Sequence, residues 1–139
     1  MYPLFYKQTA SLFKYNYDAS AHIVINQGGT SSGKTYAIQQ VLFCLAYESP
    51  KQVITVVGQD IPNIKSGVLR DARAIMAESP LLKQAIKKFN STDRIFEFKN
   101  GSGCFVTARS RSYQNKKILI HNEYKIFFVQ SVECHSLFI

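Results

Sequence analysis

"INQGGTSSGKTYAIQQVLF", residues 25–43, runs from an apolar stretch through glycines and hydroxyls into a helical pattern. Ile23, Val24 and Ile25 stand in a row just upstream, which predicts a strand buried on both faces. Downstream, Ala37, Ile38, Val41, Leu42 and Leu45 recur at helical spacing, so the local order is strand, glycine turn, helix. A second buried strand is expected over Val53 to Val57. A second helix follows, with Ile64, Val68, Leu69, Ala72, Ile75 and Met76 on one side. This β-α-β-α order is the pattern of a parallel sheet with helical crossovers. Ser79-Pro80 reads as an N-cap followed by proline at the first helical position, with Leu81, Leu82, Ala85, Ile86 and Phe89 continuing a short third helix. Asn100-Gly101 then predicts a tight turn between antiparallel strands at Ile95 to Phe98 and Cys104 to Thr107. "KILI" and "KIFFVQSV" read as further strands without a helix between them.

Gly28-Gly29-Thr30-Ser31-Ser32-Gly33-Lys34-Thr35 satisfies G-x-x-x-x-G-K-[ST], in the strand-to-helix context that this phosphate-binding loop requires. The glycines let consecutive backbone N–H groups converge on a β-phosphate, and the helix beginning near Gly33 adds its partial positive end. Lys34 is expected to reach the β- and γ-phosphates and the Thr35 hydroxyl to ligate Mg²⁺. Thr30, Ser31 and Ser32 contribute mainly backbone amides. Hydrolysis needs an acid on another strand as well. The candidate is Glu123 in "KILIHNEY", with Asn122 holding the metal through its hydration shell; a surface turn between two strands accounts for the same residues equally well. Asp60 also follows a strand, but the nearby Pro62 favours a loop role.

A chain of 139 residues with 46% hydrophobic content, 10 Phe and 8 Tyr can fill the core of one domain. Its formal charge of +8 favours polyanionic partners without distinguishing among them. Lys99, Arg109, Arg111, Lys116 and Lys117 fall between Glu97 and Glu123 with no acid among them, as a loop over DNA phosphates or a solvated charge run would. Cys44, Cys104 and Cys134 lack the spacing of a zinc site, and His22, His121 and His135 lack ligand spacing, so buried thiols and structural histidines are expected. Neither a signal peptide nor a membrane-spanning run is apparent, and a soluble, unsecreted protein is expected. Tyr2, Phe5, Tyr6, Phe13, Tyr15 and Tyr17 crowd the N-terminus; packing against the sheet edge is their commoner use and stacking on adenine the rarer one.

These stretches, with "VITVVGQDIPNIKSGVLRDARAIMAESP" and "FNSTDRIFEFKNGS" following in order, resemble the ATPase domain of the phage terminase large subunit, the motor that pumps double-stranded DNA into a prohead. The resemblance covers Ile23 to Ser102. It implies an α/β P-loop NTPase of three layers, with a mainly parallel sheet plus a β-hairpin, here incomplete. Residues 1–139 would be a partial ATPase domain without the C-terminal nuclease domain: a fragment, a split gene or a frameshifted product. ATP and Mg²⁺ are the implied cofactors, bound at Gly28 to Thr35 with Thr35 on the metal, and Lys34 and Glu123 are the catalytic candidates. Double-stranded DNA, the terminase small subunit, the portal and further copies in a ring are the implied partners. The implied location is the host cytoplasm, for a phage- or prophage-encoded protein with no membrane association. Two departures stand out. Thr30 lies where many members carry a catalytic arginine, leaving Arg70 or a neighbouring subunit to supply that charge. After Gly103 only Asn122 and Glu123 match the family's strand ending in "N-E-A-N". Three functions follow: an ATPase core driving DNA translocation, a nucleotide-binding module without turnover, and a helicase-like, nucleic-acid-stimulated NTPase.

Overall fold

The computed structural model describes residues 11–29, 33–58, 62, 65–108, 117–122 and 125–132, with the backbone course alone at 29, 57–58, 107–108, 117–122 and 125–132. Helix α1 (Ser11–Asp18) leads into β1 (Ile23–Gly29), α2 (Lys34–Glu48) and β2 (Val53–Gly58). A π-helical turn (Lys65–Leu69) opens α3 (Arg70–Glu78), which is followed by α4 (Pro80–Ala85) and the strands β3 (Ile86–Asn90), β4 (Ile95–Phe98), β5 (Gly103–Ala108), β6 (Lys117–Asn122) and β7 (Lys125–Val132). The seven strands form one sheet in the order β1-β7-β6-β2-β5-β4-β3. The fold is mixed α/β. No helix among the described residues is long and apolar enough to cross a membrane.

The sheet is not mainly parallel in its pairing. Among the described residues β1 with β7 and β2 with β5 pair in parallel, and the other four ladders are antiparallel. The cause is the β6–β7 hairpin, in which Asn122 and Lys125 are register partners, too close in sequence for anything but an antiparallel return. It lies between β1 and β2. Strand direction nevertheless leaves β1, β7, β2 and β5 pointing the same way, with their carboxyl ends along one edge of the sheet.

Two helical expectations change. The third helix stops at Ala85 and Ile86–Asn90 is a strand, because pairing with β4 and stacking of Phe89 on Phe96 at 4.4 Å outweigh a helical spacing of apolar residues. The second helix opens as a π-helical turn around Gly67 before becoming regular at Arg70. The Ser79 cap is as expected: its side chain accepts from the Leu82 N–H at 3.3 Å, with Pro80 beginning the helix.

The β4–β5 hairpin also forms as expected, with Gly101 in the left-handed region at φ 88°. Asn100 has a second role: its side chain donates to the Ala46 carbonyl at 2.7 Å and the Tyr47 carbonyl at 3.3 Å, closing the end of α2.

Burial is one-sided. Val24, Ile54, Val56, Phe96, Phe98, Cys104 and Val106 share a single core with Phe13 of α1, most of α2, and Val68, Leu69, Ala72, Ile75 and Leu82. The alternate positions face outward, with Ile23, Ile25, Val53 and Phe105 exposed at 51, 67, 60 and 37%. The expectation of a strand buried on both faces therefore does not describe β1, and Val53 of β2 is exposed as well. Their helices belong to one core, so a continuous apolar run such as Ile23-Val24-Ile25 presents two of its three side chains to solvent. Burial pushes the Cys44 and Cys104 thiols up, Cys104 to about 12, so both behave as small apolar side chains.

An apolar sheet face in water favours association. Light scattering should show concentration-dependent association at high micromolar concentration, reduced by Ile25→Lys. A persistent monomer that is unchanged by the substitution would show the face to be inert.

Candidate functional site

The glycine loop lies at the carboxyl end of β1, on the edge where β7, β2 and β5 also end, the edge at which open α/β sheets bind ligands. Gly28 and Gly29 close the strand and α2 begins at Lys34. Gly33 turns the chain between them with φ 79°, in the left-handed region that glycine adopts without penalty. The Ala37 N–H donates to the Gly33 carbonyl at 2.9 Å as the helix's first bond. Gly33, at the N-cap, has no side chain to cap this end and the first turn carries no acid, so among the described residues the opening N–H groups and the helix dipole meet no local negative charge. Thr30, Ser31 and Ser32 lie outside the described residues.

Lys34 turns back toward the end of β1. Its ammonium donates to the Gly28 carbonyl at 3.0 Å, and the residue is buried at 6% exposure. Desolvation lowers its pKa, since removing a cation from water favours the neutral form. Thr35, one residue on, is half-buried. Its neighbour Tyr36 donates to Glu78 Oε2 at 2.9 Å, tying the start of α2 to the end of α3. Burial, and then that carboxylate, push the Tyr36 phenol up to about 12.

The other expected residues are distributed differently. The strand beside β1 is β7, parallel to it, with Ser131 opposite Gly28 and Val132 opposite Gly29. β6, the strand expected to present an acid, is separated from β1 by β7 and runs the other way. Its last residue, Asn122, pairs with Ile54 at the start of β2 and with Lys125, next to the Ile126 that faces Ile23. The seven-residue β1 spans roughly 20 Å at ~3.3 Å per residue, so Asn122 and the loop are at opposite ends of the sheet. Glu123 and Asp60 lie outside the described residues, as do Arg109, Arg111 and Lys116. Arg70 bonds Asp71 at 3.2 Å on the exposed side of α3.

Sequence reading overlooked a buried amide pair. Asn16 of α1 donates to Asn26 Oδ1 at 2.9 Å, and Asn26 of β1 donates back to Asn16 Oδ1 at 2.7 Å. The available signal was an asparagine directly after the apolar run Ile23-Val24-Ile25. Of the N-terminal aromatics, Phe13 is buried and stacks on Tyr17 at 5.6 Å, while Tyr17 bonds Glu48 at the end of α2. Both serve packing. Tyr2, Phe5 and Tyr6 lie outside the described residues.

Comparison of the chain with protein-family models, with curated proteins and with solved structures finds no match.

Gly33→Ala tests the loop's backbone directly. A Cβ at Gly33 would meet nothing within 4 Å, so the cost is conformational alone. Urea denaturation should show a loss of about 1 kcal/mol, the usual penalty for a left-handed alanine. Unchanged stability would mean that the turn relaxes to another conformation.

Proposed function

We propose that this chain binds Mg-ATP through Gly28 to Thr35 as the nucleotide-binding part of a DNA-packaging motor ATPase. The observation that carries the reading is a complete G-x-x-x-x-G-K-T at a strand-to-helix junction, with the Lys34 ammonium desolvated against the Gly28 carbonyl. A polyphosphate suits such a site: its negative charge offsets the desolvation of Lys34, and its oxygens accept from the N–H groups that open α2. Thr35 would hold Mg²⁺, which draws charge off the phosphates during transfer. The terminase-like blocks from Ile23 to Ser102 support the motor assignment. Double-stranded DNA, a small subunit, a portal and a ring of copies are its proposed partners, within the cytoplasm of a phage host.

A second reading, binding without turnover, is favoured by the position of β6. If the acid comes from the strand beside β1, the sequence offers Glu133, which directly follows β7, in place of Glu123.

Calorimetry tests the site that both readings share, and phosphate release separates them. Lys34→Ala should weaken Mg-ATP binding by about 1.5–3 kcal/mol, the range for a hydrogen bond to a charged group, with the backbone amides keeping the remainder. Equal affinity in the two proteins would end the assignment of the loop. Phosphate release, measured with and without double-stranded DNA, should be negligible if the chain only binds. Release that is lost in Glu133→Gln or in Glu123→Gln, with binding retained, would establish turnover and name its acid.

A further inference from the structure

Asn26 is an unusual residue for its position. It faces the covered side of β1 at 5% exposure, in register with Val24 before it and Gly28 after it, where an apolar β-branched residue would bury more favourably. Its amide is satisfied by one residue, Asn16 of α1, itself fully buried. Asn16 also donates to the Leu12 carbonyl of its own helix at 2.8 Å, which locks the orientation of its amide. Apolar contacts between a helix and a strand tolerate sliding and rotation; two antiparallel amide bonds do not, because a shift of an ångström breaks both. Asn26 is two residues, roughly 7 Å along the strand, from the Gly28 carbonyl that receives the Lys34 ammonium.

We propose that the Asn16–Asn26 amide pair is a positioning element for the phosphate loop, through which α1 sets the height and rotation of Gly28 beneath Lys34. The inference rests on the reading of Gly28 to Thr35 as a nucleotide site and adds a residue pair that does not touch the nucleotide. α2 holds the loop from its far side; the pair holds it from the near side. α1 is also joined to α2 by the bond from Tyr17 to Glu48, at the C-terminal ends of the two helices, so a shift of α1 disturbs both contacts.

The test uses the full chain and separates positioning from packing. Asn26→Val alone strands a buried amide on Asn16, and both thermal midpoint and affinity should fall. The double variant Asn16→Leu with Asn26→Val replaces both amides by apolar groups and should recover the midpoint. Its Mg-ATP affinity should stay roughly tenfold below wild type, as for one misaligned bond to a phosphate. Amide exchange across Gln27 to Ala37 should be faster than in wild type. A double variant with wild-type affinity and exchange would reduce the pair to packing and overturn the proposal. The wild-type protein supplies a readout that needs no substitution: the Asn16 and Asn26 side-chain amide signals should shift and exchange more slowly on saturation with Mg-ADP. Normal nucleotide binding with those signals unmoved overturns the inference alone. Absence of any binding by the wild type overturns the nucleotide reading beneath it.

Discussion

The burial of α2 is the constraint on which the rest of the structure depends. From Ala37 to Cys44 every residue of this helix is buried, including Gln39 and Gln40. A helix enclosed on so much of its circumference must have neighbours on several sides, and α1, α3, the π-helical turn and the inner face of the sheet supply them. Its ends are then held by specific polar contacts: Asn100 collects the carbonyls at the C-terminus, and the glycine loop delivers the chain to the N-terminus. The enclosure has a polar cost, because Gln39 Nε2 is buried with no well-formed hydrogen bond among the described residues and has the Cys104 thiol as its polar neighbour.

One-sided covering follows from the same arrangement. Because the described helices share the core around α2, the opposite face of β1, β2 and β5 carries Ile23, Ile25, Val53 and Phe105 exposed. The end strands differ. β3, at one end of the sheet, exposes Lys87 and Lys88, which discourage further strand pairing; β1, at the other, carries no charged residue.

At the loop, the proposed binding and the proposed turnover make different demands on the fold. Phosphate binding needs the glycine turn, the amide donors and Lys34, all of which belong to a stretch contiguous in sequence. Turnover needs an acid brought in from another strand, so it depends on which strand neighbours β1. That neighbour is β7, and the direction of β6 carries its own end toward the opposite side of the sheet.

Local chemistry was legible in the sequence. The Gly33 turn, the Ser79-Pro80 helix start and the Asn100-Gly101 hairpin each depend on residues within a few positions of one another, and each reads directly from residue type. Apolar periodicity located β1, β2, α2 and the hairpin strands for the same reason. Long-range pairing was not legible. Ile86 to Phe89 carries a spacing that suits a helix, and only the presence of β4 alongside makes it a strand. Ile23-Val24-Ile25 reads as doubly buried because an apolar run cannot say how many of its faces will be covered. The Asn16–Asn26 pair joins two elements by a contact that neither residue reveals alone. The sequence by itself determined the strand, glycine turn and helix around Gly33 and Lys34, since these depend on residue types close together along the chain. Tertiary structure alone decided the order of the strands around that loop, because a strand's neighbours are chosen by packing and register across the whole sheet.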